Sequence, residues 1–371
     1  MLRRDFLQLA AIAGAPTSTT TDIPRYKTVS RFEPSPHPGM PGPYPGKVVR
    51  LRAEKSIDAE SNRVDAEVVR EMISRGVRTL TGEKTDGAAW SHFFDPRDVV
   101  GIKVNCSGAP NIMASPEVVS AIVARLIALE IPPKNIYIYE RFRDQLTSVH
   151  YERYVPEGVN IVAVESSRGV MIGYNPATYV EVNFFGEDDT RSNLVRLVTD
   201  RLTKIINVPN IKDHGASGVT GCLKNIAYGN FSNVARSHHA EKTNTLTFIG
   251  TLAAVEPLRS KTVLQIMDGL RGVWQGGPFS FDKRFRFFPK QLMFATDPVA
   301  VDHLELDLVE AKRKAEKAPS LFDRSVGTVN DSRPQWLINQ YIREPGHIEY
   351  AGKLGLGVYD SSKIHVTDIQ V

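Results

Sequence analysis

The sequence predicts an α/β fold, a largely parallel or mixed sheet flanked by helices and divisible into two lobes with a pocket between them. Short β-rich runs alternate with stretches of helical apolar period along most of the chain. Several runs end in acids, glycines or prolines, where α/β sheets open into loops. At 371 residues and 42% hydrophobic content, the chain is long enough to bury a core of this kind.

The elements follow in order. Residues 47–53 (KVVRLRA) read as a strand, 65–74 as a helix and 99–104 as a β-rich run. Ser115, Pro116 and Glu117 supply an N-cap, a first-turn proline and a first-turn acid. The helix they open keeps its period through Val118, Val119, Ile122, Val123, Leu126 and Ile127. Strands return at 135–140 and 159–164, and Ile205, Ile206 and Val208 form a strand-like lead that stops at Pro209. Residues 262–267 and 291–295 are two further strands, each running into an acid. Asp268 and Gly269 then start a turn carrying Arg271 and Trp274, and Asp297 caps a helix whose first residue is Pro298. Asp302 and His303, early in that helix, face either a site or solvent. No repeat of twenty to fifty residues is present.

Ahead of these elements, the first residues resemble a twin-arginine export signal, with Arg3 and Arg4 followed by Asp5, Phe6, Leu7 and a short Ala-rich run. The apolar run is too short to span a bilayer as a helix. The expected organisation is a signal over residues 1–15, a Pro/Ser/Thr-rich extended arm over 16–46 and an α/β domain over 47–371, with lobes 47–205 and 206–371. The arm's composition argues against a packed core and against His37 as a ligand. The resemblance implies a periplasmic or otherwise exported protein that meets the twin-arginine export machinery, and that route carries folded, often cofactor-loaded proteins. No later apolar run has spanning length, so the mature chain is expected to lack a transmembrane span.

Charge and cysteine content narrow the function. A formal net charge of +4, with acids interleaved among dispersed bases, argues against nucleic acid. The two cysteines, Cys106 and Cys222, allow one intrachain disulfide at most and exclude a four-cysteine iron–sulfur cluster from this chain. Each closes a motif at a strand or loop end, which places both near one pocket.

The chemistry concentrates in residues 205–239, where Lys212, His214, Lys224, His238 and His239 share a run with Gly215, Gly218, Gly221 and Gly229. Such a run reads as a loop whose backbone approaches a ligand closely. His214 suits metal ligation or proton transfer, and Lys224 suits an anion or covalent chemistry. The glycines between them let a loop of ten residues aim both side chains at one ligand. Lys103 and Asn105, ending the 99–104 strand, are positioned to orient that ligand, with Lys212, Asn225 and the N–H groups around Gly218 and Gly221 holding phosphate or carboxylate. The metal set is His214, His238 and His239.

Four segments stand in a telling order: IKVNCSG (102–108), VPNIKDHGASGVTGCLKN (208–225), MDGLRGVWQGGP (267–278) and ATDPVAVD (295–302). On these the chain resembles the domain-of-unknown-function family 362 over about residues 47–371. Many relatives carry an added ferredoxin-type cluster domain, whose cysteines this chain lacks. A more distant likeness is to the lactate racemase family, whose His/Gly/Gly/Lys motif is similar to His214, Gly218, Gly221 and Lys224. There the lysine is linked to a nickel-pincer nucleotide, the histidine lies at the metal, and a later histidine corresponds most nearly to His238 or His239. This chain departs from that pattern in having Cys222 and Leu223, in place of small residues, before its lysine.

The likeness implies a transition metal or metal–nucleotide cofactor, and redox or epimerising chemistry on a hydroxy acid, of the oxidoreductase or racemase/epimerase kind. The alternative is a non-enzymatic periplasmic metal- or anion-binding or assembly protein. A bound chromophore on the purified protein separates the two.

Overall fold

The fold is seen in a computed structural model that describes residues 23–165, 173–238, 245–322 and 346–371. The strands are β1 (Lys27–Val29), β2 (Lys47–Arg52), β3 (Val100–Val104), β4 (Ile136–Phe142), β5 (Asn160–Glu165), β6 (Tyr174–Glu181), β7 (Arg191–Val195), β8 (Lys204–Val208), β9 (Asn210–His214), β10 (Gly218–Val219), β11 (Thr262–Val273), β12 (Arg286–Phe287), β13 (Gln291–Ala295) and β14 (His365–Gln370). The helices are α1 (Ala66–Thr81), α2 (Asp86–Ser91), α3 (Pro116–Ala128), α4 (Arg143–Thr147), α5 (Arg196–Asp200), α6 (Gly221–Tyr228), α7 (Thr245–Ala253), α8 (Leu258–Lys261), α9 (Pro298–Ala315) and α10 (Gly346–Lys353).

Eleven strands form one mixed sheet, in the order β14-β2-β13-β11-β8-β3-β4-β5, with β9 and β12 also paired to β11 and β10 paired to β9. The centre, β11-β8-β3-β4-β5, is parallel, and β13 runs antiparallel to both β11 and β2. Strands β1, β6 and β7 make a small antiparallel sheet. Both expected halves, 47–205 and 206–371, contribute strands to the large sheet.

Side chains alternate between the two faces of this sheet. Val100, Ile102, Val104, Ile136, Ile138, Ile206 and Val208 face a core closed by α1 to α3. Tyr139, Ile205, Met267 and Met293 face the opposite core, closed by α6, α7, α9 and α10. Helix α1 buries Val69, Met72, Ile73, Val77 and Leu80 at helical spacing, and Asp65 caps it by accepting from Glu67 N and Val68 N at 3.0 and 3.1 Å.

Asp297 does more than cap α9. Its carboxylate accepts from Ala300 N (2.9 Å), Gly46 N (2.9 Å) and Val358 N (2.8 Å), tying the helix start to the strand entering β2 and to the segment before β14.

Three expectations are corrected. Ser115 begins α3 without a side-chain cap bond; its hydroxyl accepts from Arg271 Nη2 at 3.2 Å and its N–H donates to Asp268 Oδ2 at 2.7 Å. The turn expected at Asp268 is continuous strand, because β11 runs on past its pairing with β8 and pairs with β9 from Asp268 to Val273, bulging between Asp268 and Gly272. Within the arm, residues 23–46 are anchored through backbone: β1 pairs with β6, Gly39 N donates to Ser260 O, and Met40 is buried. The N-terminal segment read as an export signal lies outside the described residues. Among those described, no helix is long and apolar enough to cross a membrane.

Candidate functional site

At the carboxyl ends of the parallel strands a polar row crosses the apolar sheet: Tyr139, Lys103, Asn207 and Gln265 stand in register on β4, β3, β8 and β11. Carboxyl ends of parallel strands are where α/β sheets place ligands. Helix α6 lies over the row. Asn225 donates to Asn207 Oδ1 at 2.7 Å, and Asn207 donates to Gln265 Oε1 and Cys222 O at 2.8 and 2.9 Å. Each buried amide is thus oriented by another, which fixes the polar groups in place.

Lys103 is fully buried and paired. Its Nζ donates to Glu140 Oε1 at 2.9 Å and to Val104 O at 2.5 Å, and Glu140 Oε2 accepts Cys106 N–H at 3.1 Å. Gly229 makes room for it, since a Cβ there would meet Lys103 Cε at 2.3 Å. Beside this pair Lys212 Nζ donates to Asn105 Oδ1 (2.6 Å) and Ser107 Oγ (3.0 Å), and Asn105 Nδ2 donates to Asn225 Oδ1 (3.1 Å). Burial lowers the Lys212 pKa to about 8.

Lys224 is 8% exposed, and its ammonium has no hydrogen bond or ion pair among the described residues. It sits 4.6 Å from the centroid of the Tyr228 ring. Burial first, then the Arg141 and Lys212 charges, lower its pKa to about 7. The aromatic contact continues outward: the Tyr228 and His238 rings lie 5.3 Å apart, and His238 and His214 5.4 Å apart. His214 Nδ1 accepts from Ala216 N at 3.0 Å, which assigns the proton of the neutral ring to Nε2.

The run read as an open loop is instead ordered and buried, forming β9, a tight turn, β10 and α6. The parallel pairing of β9 with β11 draws it inside. Lys224 is therefore a buried helix residue, not an exposed loop residue. The glycines also serve the chain itself. Gly218, at φ +73, pairs with His214 in the hairpin. Gly221 has φ +59, and a Cβ there would lie 2.4 Å from the Asp302 carboxyl carbon. That carboxylate accepts Cys222 N–H at 2.5 Å and Leu223 N–H at 2.9 Å, occupying the start of α6 where the sequence suggested an external anion.

Burial holds the Asp302 carboxyl above the usual carboxylate range. Burial, reinforced by Asp302, holds Glu305 well above the usual carboxylate range. Glu305 Oε1 accepts Lys212 N–H at 2.8 Å, while Oε2 has no hydrogen-bond partner among the described residues.

His214 and His238 converge, and His239 lies outside the described residues. Among those described, no group of three His, Cys, Asp or Glu residues is arranged to hold a metal ion. The cysteines do not share a pocket. Both are free and buried, Cys106 in the core of α1 to α3 and Cys222 in the core across the sheet. Burial pushes the Cys106 thiol up to about 12 and Cys222 well above its ordinary value, so both are held protonated.

Two surface depressions, of about 200 Å³ by Arg70, Glu117 and Tyr154 and about 290 Å³ by Tyr137, Arg196 and Asp200, lie away from Lys224. They carry no concentration of reactive groups comparable to that around Lys224.

Sequence reasoning missed Glu140, Ser107, Tyr228, Glu305 and His347. Glu140 had a signal, an acid closing the apolar strand NIYIYE. His347 had none: it sits on α10, buried, with neither ring nitrogen hydrogen-bonded among the described residues.

A search of curated proteins finds no match. The family described as domain of unknown function (DUF362) matches residues 100–307, more than half of the chain and a span that holds every residue from Lys103 to Glu305 discussed above. The chain belongs to that family.

Proposed function

We propose that the protein is an exported enzyme that binds a small oxyanion, a carboxylate or phosphate, at Lys212 and presents the Lys224 amine to it. The carrying observation is Lys224 itself. A buried lysine with no hydrogen bond or ion pair among the described residues, at a pKa of about 7, is half neutral amine near neutral pH. Lysines set in this way serve as bases and nucleophiles.

Lys212, held by Asn105 and Ser107, has a third ammonium proton for the anion. Lys224 Nζ then takes the proton of a hydroxyl on the neighbouring carbon. The reaction class that fits is redox or epimerising chemistry on a hydroxy acid, with a hydride-accepting cofactor of the metal–nucleotide class supplying the redox step when bound.

Calorimetric titration of glycolate and of inorganic phosphate tests the reading. Affinity should fall as pH rises past about 8, where Lys212 loses its proton. Lys212→Met should weaken binding at least tenfold, and Lys224→Met should abolish turnover while glycolate still binds. A wild-type protein that binds neither anion sinks the reading. Export is tested separately: with Arg3→Lys and Arg4→Lys the protein should stay in the cytoplasm, and unchanged delivery would refute a twin-arginine signal.

A second reading, a metal-binding protein without turnover, is supported by the 5.4 Å approach of the His214 and His238 rings. Here His214, His238 and His239 hold the ion. Metal analysis of protein expressed with residues 1–15 intact decides it: no bound metal in the wild type, or metal retained by His214→Ala, removes it.

A further inference from the structure

The helix α10, outside the matched residues 100–307, buries His347 completely, and both imidazole nitrogens are without a hydrogen-bond partner among the described residues. A buried polar atom left unpaired is costly, and each one calls for an explanation. Helix α10 packs on α7 and α9, and both of these pack on α6, which carries Lys224. Burial first, and then the charge of the nearby Lys224, lower the His347 pKa to about 3. The ring is therefore neutral at any physiological pH. A neutral imidazole offers one N–H donor and one lone-pair acceptor.

We propose that His347 is a ligand-contacting residue of the Lys224 site, and that its paired donor and acceptor select an oxyanion that also carries a hydroxyl. Acetate or sulfate has acceptors alone and leaves one imidazole nitrogen unsatisfied. Glycolate or hydrogen phosphate brings both kinds of group. The inference rests on the oxyanion reading given above and names the ligand class of that same site. Sites built to hydrogen-bond a hydroxyl discriminate strongly against analogues lacking it, because their own buried groups are then left unpaired.

The test titrates two matched pairs of anions, glycolate against acetate and phosphate against sulfate, into the full-length wild type, His347→Phe, His347→Gln and Lys212→Met. The wild type should prefer the hydroxyl-bearing member of at least one pair by about tenfold or more, and the preferred pair tells a hydroxy acid from a phosphate. In His347→Phe that preference should fall below about twofold with acetate or sulfate affinity unchanged, and His347→Gln, which retains a donor and an acceptor, should restore part of it. His347→Phe should melt at or above the wild-type temperature, since it removes two unpaired buried nitrogens; His347→Leu serves if the larger ring prevents folding.

Equal binding within both pairs by the wild type, or full preference in folded His347→Phe, overturns the role of His347 and leaves the oxyanion site standing. Loss of all four anions in folded His347→Phe also overturns it, because the residue then only shapes the site. No binding of any anion to the wild type overturns both readings.

Discussion

Replacing Lys224 by methionine should stabilise the protein in anion-free buffer. Burial and two neighbouring cations lower the Lys224 pKa from 10.5 to about 7, whereas the unfolded chain restores the ordinary value. Between those two pH values the unfolded state binds more protons than the folded one, so folding stability rises with pH across that window. A tenfold change in proton affinity is worth about 1.4 kcal/mol, so the drop from 10.5 to 7 amounts to at most about 5 kcal/mol. This penalty is fully present below pH 7 and gone above pH 10.5. Methionine keeps the length and apolar stem of lysine and removes the charge. The variant should therefore exceed the wild type by about 2–5 kcal/mol at pH 6, with the advantage shrinking towards zero as pH approaches 10. Urea unfolding midpoints at pH 6, 8 and 10, with the slope checked for constancy, measure the difference. Parallel pH dependence of wild type and variant across this range would refute the reasoning, since it would mean that the Lys224 ammonium is solvated in the folded protein.

The remaining substitutions probe what holds the site. Asp302→Ala leaves the Cys222 and Leu223 N–H groups unpaired at the start of α6 and should cost about 1–3 kcal/mol by denaturant unfolding, with no loss if solvent replaces the carboxylate. Gly221→Ala places a methyl group against Asp302 at positive φ; it should destabilise by more than Asp302→Ala, and a smaller loss would show that the helix start relaxes freely. Glu140→Ala strands the buried Lys103 charge and should cost about 3–5 kcal/mol, whereas Glu140→Gln, which keeps an acceptor, should cost less; equal losses would contradict the pairing. Gly229→Ala should displace the Lys103 side chain and destabilise comparably to Glu140→Ala, and a neutral effect in thermal melts would place Lys103 elsewhere.

The alternation of apolar runs was enough to locate β2, β3, β4, β5, β8 and β13, and an acid followed by proline ahead of a helical period located the cap Asp297, whereas Asp65, read as part of the helix over 65–74, is its cap. These signals are local: a strand's period of two, a helix's 3.6, and a carboxylate that accepts from N–H groups two or three residues on. The sequence alone also singled out residues 205–239 as the candidate site, because reactive residue types cluster there, and Lys103 and Asn105, named with them, meet Lys212 and Asn225 in the structure.

What those residues do was decided by contacts distant in the chain. Glycine spacing reads as a loop open to a ligand until the pairing of β9 with β11 buries it, and burial is the largest cause of the lowered Lys224 pKa. The N–H groups at the start of α6 read as an anion site until Asp302, eighty residues on, fills it. Glu140 reaches Lys103 only because β3 and β4 lie in register, and His347 comes near Lys224 only because α10 packs against α7 and α9. Local pattern determines which element a segment forms, since propensity and period act within a few residues. Charge state, pairing and burial depend on which elements meet, and that is a property of the assembled sheet and its two helical layers.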